Sequence, residues 1–280
     1  MNKFLILDGY PIDDRNKFKD VEMTLAGELY QNMLSRYVDQ PHADILYTSD
    51  SEEFLSEEFI GQYSAILWPG CSLTVYHDDW RVKKMLDIAS KGFELGIPQF
   101  GSCWAAQVAV HLVGGLVKAH HNGREIGISR RIHKSDAGFD HPMYREKPSV
   151  FEAFSSHDDY IAEVPPEFCP ALSSNDWCEV QAVMIKYKKG EFWATQYHPE
   201  YNFKEMGKLL LARKEKLIKQ DYFESEIEVQ QLHDDFIRLE KAPTKHLLWK
   251  YGVGEALSNK DLREIEFKNW LKHFFPNLLK

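Results

Sequence analysis

The chain has 280 residues, 44% hydrophobic and 28% charged, which suits a soluble protein of one or two domains with a sizeable core. With 43 Asp plus Glu against 34 Lys plus Arg, its net charge of −9 argues against nucleic acid or a membrane surface as partner, since either needs a basic patch. Four scattered cysteines, Cys71, Cys103, Cys169 and Cys178, form neither a disulfide framework nor a C-x-x-C pair, so reduced thiols, a cytoplasmic setting and no metal are expected.

"MNKFLILDGY" holds one apolar run, too short for a secretory signal, and no run approaches the roughly 18 apolar residues of a membrane helix. "KFLILDG" predicts a buried first strand. "VEMTLAGELYQNMLSRYV" then sets Leu25, Leu29, Met33 and Tyr37 along one helical face. "ADILYT" and "YSAILWPG" predict the next two strands, the latter halted by Pro69 and Gly70. In "DDWRVKKMLDIASKG", Val82, Met85, Leu86 and Ala89 fit a helical stripe that Gly92 is expected to end. "IPQFGS" is a strand, and "CWAAQVAVHLVGG" a short helix closing at Gly114 and Gly115. Alternating strands and helices with short connections predict an α/β fold, a mostly parallel open sheet flanked by helices.

From about Gly123 to Thr195, "EIGISRRIH", "SVFEAFSSHDDYIAEV", "CEVQAVMIKY" and "EFWATQYHPE" read as strands without long helices between them. Past residue 204 the chain turns helical, through "KEMGKLLLARKEKLIKQ", "ESEIEVQQLHDDFIRLEK" and "SNKDLREIEFKNWLKHFF". In the last, Ser258 and Asp261 have capping-box spacing, and Phe267, Trp270, Leu271 and Phe274 make an apolar stripe. The expected division is an α/β domain over 1–203 and a helical C-terminal extension over 204–280 packed on it.

The chemistry is concentrated in "FGSCWAAQ". Gly101 and Ala105, two residues either side of Cys103, are the small neighbours that a sharp strand-to-helix turn demands. The helix starting there aims its N–H groups at the sulfur, which favours thiolate. Taken alone, Cys103 fits a buried filler thiol equally well. "ATQYHPEYNF" supplies a base: in extended backbone His198 and Glu200 face one side, so the carboxylate can orient the imidazole toward a thiol. Taken alone, that pair also fits a surface histidine beside an acid. The turn Trp68-Pro69-Gly70-Cys71 offers backbone amides to an oxyanion, with the Trp104 amide as second donor.

Together and in this order these segments resemble the class I glutamine amidotransferases, whose pattern is a Pro-Gly turn, Gly-x-Cys-x-Gly-x-Gln, then His-Pro-Glu. "SSHDDYIAEVPPEF", "ALSSNDWCEVQAV" and "REIGIS" are similar to stretches of the glutaminase domain of GMP synthase. The resemblance covers about residues 1–203 and implies flavodoxin-like layers. It makes Cys103 the nucleophile, His198 the base and acid, and Glu200 its orienting partner. It puts Gln107 in the substrate pocket, and His157, Asp158 and Asp159 where glutamine's α-amino and α-carboxylate ends are held. No organic cofactor is implied.

Three residues depart from the family pattern. Ala105 and Asp158 stand where the family has glycine, and Trp68 where many members do; a bulky Trp68 is expected to narrow the pocket or change which amide faces the oxyanion. Cys71 lies on the oxyanion loop, close enough in sequence logic for a regulatory disulfide with Cys103, although a bystander thiol is the simpler reading. His120 and His121 read as surface residues.

The sequence has neither the Ser-Gly-Gly-x-Asp-Ser pyrophosphate loop of the synthases nor a G-x-x-x-x-G-K-[ST] motif. Three functions therefore stay open. The first is a glutaminase acting on L-glutamine and passing ammonia to a separate synthetase subunit. The second is a stand-alone γ-glutamyl hydrolase or peptidase with the same triad. The third is a non-catalytic binding protein. "HLLWKYGVGEALSNKDLREIEFKNWLKHFF" resembles the tail of some bacterial stand-alone members of the GMP-synthase-like group, which favours a chain working without a fused synthetase.

Overall fold

A computed structural model describes residues 2–280. β1 (Lys3–Asp8) is buried from Phe4 onward because parallel strands flank it on both sides, β2 (His42–Tyr47) and β3 (Ala65–Trp68). β4 (Gln99–Ser102) joins β3, and β11 (Gly190–Thr195) joins β4, again in parallel. Strands covered on both faces read as continuous apolar runs, as "FLIL" and "AILW" do.

Beyond β11 the sheet continues antiparallel through β10 (Ala182–Tyr187), β9 (Ala171–Ser174), β6 (Glu125–Lys134) and β7 (Val150–His157). The order is β2-β1-β3-β4-β11-β10-β9-β6-β7, an open nine-stranded sheet. β5 (Leu116–Ala119), which the sequence reading passed over, pairs with β8 (Asp159–Glu163) in a small separate sheet. The α/β class and the helices on both faces are as expected.

On one face the helices Trp80–Leu95 and Trp104–Leu112 bury Val82, Met85, Ile88, Phe93, Val108 and Val110 against the sheet. On the other, the helix Ala26–Tyr37 meets the last helix, Ile265–Phe274. Phe267 and Trp270 of that last helix lie 5.2 and 5.7 Å from Phe100 of β4, ring centre to ring centre. A third core joins the helices Phe203–Ala212 and Glu226–Lys241 to Tyr10, Phe18 and Phe154.

Several expectations about boundaries are corrected. Gly92 does not end its helix; the left-handed terminator is Gly96, φ 73°, whose N–H caps the Gly92 and Phe93 carbonyls. Gly92 is needed for closeness instead, since a Cβ there would lie 2.6 Å from the Gln99 side-chain nitrogen. A helix at Ile12–Asp20 was not anticipated because it has no apolar stripe. The segment 204–220 breaks at Arg213 into the helices Phe203–Ala212 and Lys214–Lys219. The segment 258–275 holds two helices, Lys260–Arg263 and Ile265–Phe274; Ser258 ends a preceding one, Glu255–Ser258, and Asn259, not Ser258, caps Lys260–Arg263 through the Asp261 N–H. His120 is buried, stacked between His121 and Trp177, so only His121 keeps its expected place at the surface.

Candidate active site

β3, β4 and β11 end side by side, and each hands the chain to a loop at the same edge of the sheet. Open α/β sheets bind ligands at such carboxyl ends. β4 ends at Ser102, Cys103 follows at φ 56° and ψ −107°, and the helix starts at Trp104. A non-glycine residue in that conformation costs on the order of 1–3 kcal/mol and persists only where surroundings enforce it. Here the Cys103 N–H is fixed on the Thr195 carbonyl at 2.7 Å, which locks the turn to the end of β11. Gly101 is sterically required: a Cβ would sit 2.4 Å from Ala105 Cβ and 2.8 Å from the Trp68 carbonyl oxygen.

His198 lies beyond β11, held by its N–H on the Phe154 carbonyl at 2.8 Å and by its ring, stacked 4.2 Å from Tyr201. Its Nδ1 meets Glu200 Oε1 at 2.7 Å. The same oxygen accepts from Ser102 Oγ at 2.9 Å, and Ser102 Oγ accepts from Tyr30 at 2.8 Å. That chain fixes the imidazole and leaves Nε2 toward the sulfur. Both side chains converge on Gly70, where a Cβ would lie 2.7 Å from His198 Cε1 and 3.4 Å from Cys103 Cβ. Only glycine admits them.

The electrostatics follow from this packing. Burial alone would push the Cys103 thiol up; the His198 charge, with His157 and Arg213 behind it, outweighs burial and holds the thiol below its ordinary value. Burial alone would lower His198; the Glu200 carboxylate and the Cys103 sulfur outweigh it and raise the imidazole to about 9. Each group thus favours the charged form of the other, thiolate beside imidazolium. Cys71 differs: burial pushes its thiol up, and its Sγ takes the Leu73 N–H at 3.5 Å. Cys71 and Cys103 are both free thiols.

A cavity of about 620 Å³ opens above Cys103, lined by Cys71, Trp104, Gln107, His157, Asp158 and Asp159 among others. Seven of the sequence-predicted residues thus meet at one place, with Gly70, His198 and Glu200 packed behind the sulfur. Trp68 is the exception. Its indole is fully buried in the core, donates to Gln99 at 2.9 Å and lies against Phe192, so it does not narrow the cavity as expected. Its backbone pairs with Gly101 in the sheet, which leaves Gly70 and Cys71 as the loop residues beside the sulfur.

Gln107 donates to the Asp159 carbonyl at 3.0 Å and so braces the 157–159 segment. His157 faces acceptors at both ring nitrogens, Glu125 Oε2 and the Asp159 carbonyl, each at 2.9 Å, so both carry protons. Burial opposes that charge, and Glu125 outweighs it and raises His157. Glu125, His157 and Cys178 come within 4.8 Å of one another. The Glu125 oxygens are already taken by His157, Gln181, Ser129 and Asn175, which makes this a hydrogen-bonded knot fixing the imidazolium.

Sequence reasoning missed Arg124, Ser156 and Arg213. Ser156 offers its carbonyl to Cys103 Sγ at 3.9 Å and its hydroxyl to both arginines, Arg124 at 3.1 Å and Arg213 at 2.7 Å. Arg124 is the first residue of the "REIGIS" stretch, which was the available signal; Arg213 lies in no motif. Asp158 pairs with Arg124 and with Lys216 of the helix Lys214–Lys219, so a carboxylate replacing the family's glycine ties the C-terminal helices to the cavity.

The family model for glutamine amidotransferase class-I matches residues 27–217, well over half the chain. The chain belongs to that family. A γ-glutamyl-L-1-hydroxyisopropylamide hydrolase from a Pseudomonas species is 26% identical over 277 residues, 97% of this chain and 92% of that protein. A glutamine-hydrolysing GMP synthase from Neisseria meningitidis is 29% identical over 148 residues; the match takes in 53% of this chain and 26% of the synthase. A glutamine amidotransferase structure from Thermotoga maritima aligns with TM-score 0.66 at 18% identity, covering 98% of this chain and 97% of that one. One from Methylobacillus flagellatus gives 0.66 at 15%, covering 97% and 94%. Among the described residues, no helix of this amidotransferase-family chain is long and apolar enough to cross a membrane.

Proposed function

We propose that this class I amidotransferase-family chain hydrolyses γ-glutamyl amides through a thioester on Cys103, with His198 as acid and base and Glu200 as its orienting partner. The observation that carries the reading is the strained Cys103 turn facing an imidazole fixed by a buried carboxylate. The thiolate attacks the γ-carbonyl carbon, and the oxyanion is received by the Trp104 N–H, first in its helix and without an intrahelical acceptor, together with the Gly70–Cys71 loop. His198 protonates the departing nitrogen as the C–N bond breaks. Water, deprotonated by the same imidazole, then attacks the thioester and releases glutamate and free thiol. His157, Asp158, Asp159 and Gln107 shape the end of the cavity that holds the amino-acid portion.

The substrate reading favoured here is an N-substituted γ-glutamyl amide. A cavity of about 620 Å³ falls in the range that houses drug-sized ligands, more room than a primary carboxamide requires. Similarity along nearly the whole length of a γ-glutamyl amide hydrolase supports the same reading. A second reading, glutamine hydrolysis feeding ammonia to a separate synthetase subunit, is favoured by the similarity to GMP synthases, of which this chain spans about a quarter.

The deciding experiment compares ammonia release from L-glutamine with amine release from γ-glutamyl alkylamides, using a Cys103→Ala control. A higher kcat/KM on alkylamides supports the stand-alone hydrolase. Preference for glutamine supports the ammonia donor, and no Cys103-dependent turnover overturns both.

A further inference from the structure

The cavity carries two charged side chains that have no ion-pair partner among the described residues. Of its lysines and arginines, Lys17, Arg81, Arg124, Lys214 and Lys216 each lie within ion-pair distance of a carboxylate. Arg213 does not: among the described residues no carboxylate lies within 4 Å of it, and its partners are neutral, Ser156 Oγ at 2.7 Å and the Tyr10 hydroxyl at 3.3 Å. Both bonds use terminal nitrogens, which retain further N–H donors for a bound anion. On the carboxylate side, Asp159 lines the same cavity with only the Tyr76 hydroxyl on its side chain, at 3.0 Å.

We propose that Arg213, supplied by the break between the helices Phe203–Ala212 and Lys214–Lys219, receives the α-carboxylate of the substrate and selects α-amino-acid amides, with Asp159 facing the α-ammonium. This rests on the γ-glutamyl reading above. The spacing agrees with it. Ser156 spans the gap, its carbonyl 3.9 Å from Cys103 Sγ and its hydroxyl on Arg213. In a γ-glutamyl group the carbonyl carbon and the carboxylate carbon are separated by four C–C bonds, on the order of 5 Å when extended. A guanidinium is suited to the task because its planar fork meets a carboxylate with two parallel N–H bonds. Arg124 is not equivalent, since Asp158 already occupies its fork.

The test uses the full chain and two chromogenic amides, L-γ-glutamyl-p-nitroanilide and 4-aminobutyryl-p-nitroanilide, which differ only by the α-carboxylate. The wild type is expected to prefer the first strongly. In Arg213→Met the ratio of the two kcat/KM values should fall about 10²-fold, mainly through KM for the carboxylated compound. Arg213→Lys, which keeps the charge and loses the fork, should retain part of the preference.

Equal losses on both compounds in Arg213→Met would make the arginine a structural group and overturn the assignment. An unchanged ratio would overturn it as well. A wild type that cleaves both compounds alike sinks the α-carboxylate assignment and leaves the γ-amide reading standing. A wild type that cleaves neither compound, nor any γ-glutamyl amide, removes both.

Discussion

On the proposed mechanism, Cys103 and His198 set the pH range in which the site works. The thiol is held below its ordinary value and the imidazolium persists to about 9, so the reactive pair forms as the thiol loses its proton and dissolves as the imidazole loses its own. Activity should therefore rise with pH below the usual thiol range, hold a plateau, and fall near pH 9. A kcat/KM profile checks both limbs. Glu200→Gln removes the carboxylate that raises His198, so the falling limb should move to lower pH. The rate should drop about 10²–10⁴-fold, less than the complete loss expected of Cys103→Ala, because an unoriented imidazole still transfers protons. The paired acidic partner was readable two residues from the histidine. Ser102 and Tyr30, which hold Glu200 in turn, were not, since each is an ordinary buried polar residue until β4 and the Ala26–Tyr37 helix pack together.

At the scale of elements, the Gly101-Ser102-Cys103-Trp104-Ala105 turn is governed by the distance between β4 and the helix it feeds. Gly101→Ala puts a methyl 2.4 Å from Ala105 Cβ and 2.7 Å from Trp68 Cβ, backed by the Trp68 carbonyl. Overpacking of this kind costs about 1–3 kcal/mol, and the displacement falls on Cys103, the proposed nucleophile. The expected outcome is a lower melting temperature with near-complete loss of activity. Ala105→Gly restores the family residue and should keep activity, losing only about 1 kcal/mol of helix propensity. Comparing melting temperature with kcat/KM for the two variants separates crowding from simple change. The same scale explains the misread boundaries. Apolar stripes revealed the long helices, but Gly92 signalled contact with Gln99, not termination, and that distinction exists only once the neighbour is in place.

At the scale of the molecule, the C-terminal helices do two jobs. Ile265–Phe274 covers the sheet: Phe267 and Trp270 are fully buried against Phe100, and Glu266 pairs with buried Lys147 at 2.9 Å. Trp270→Ala should cost about 3–5 kcal/mol, seen as a shift in denaturation midpoint. Lys214–Lys219 instead reaches the cavity through Asp158. Asp158→Gly removes the Lys216 pair, which is half exposed and worth about 0.2–1 kcal/mol, and also the more buried Arg124 pair. Leaving the buried Arg124 guanidinium without its carboxylate should lower the melting temperature. Hydrogen exchange across residues 214–220 should speed up, and KM should rise several-fold as the cavity wall loosens.

The sequence by itself pointed to the proposed chemistry, because each part assigned to it is a local motif. A turn with small neighbours, a histidine two residues from a glutamate, and a Pro-Gly loop each span only a few residues. Their order along the chain matched an α/β sheet whose strand ends bring them together. Tertiary structure alone decided what surrounds that chemistry. Arg124, Ser156 and Arg213 lie far apart in sequence and sit just before β6, on β7 and at a helix break. Such meetings are set by packing between elements, which leaves no periodic or compositional trace. For the same reason Trp68, beside the oxyanion loop in sequence, turns its indole into the core, where apolar burial and the Gln99 hydrogen bond hold it.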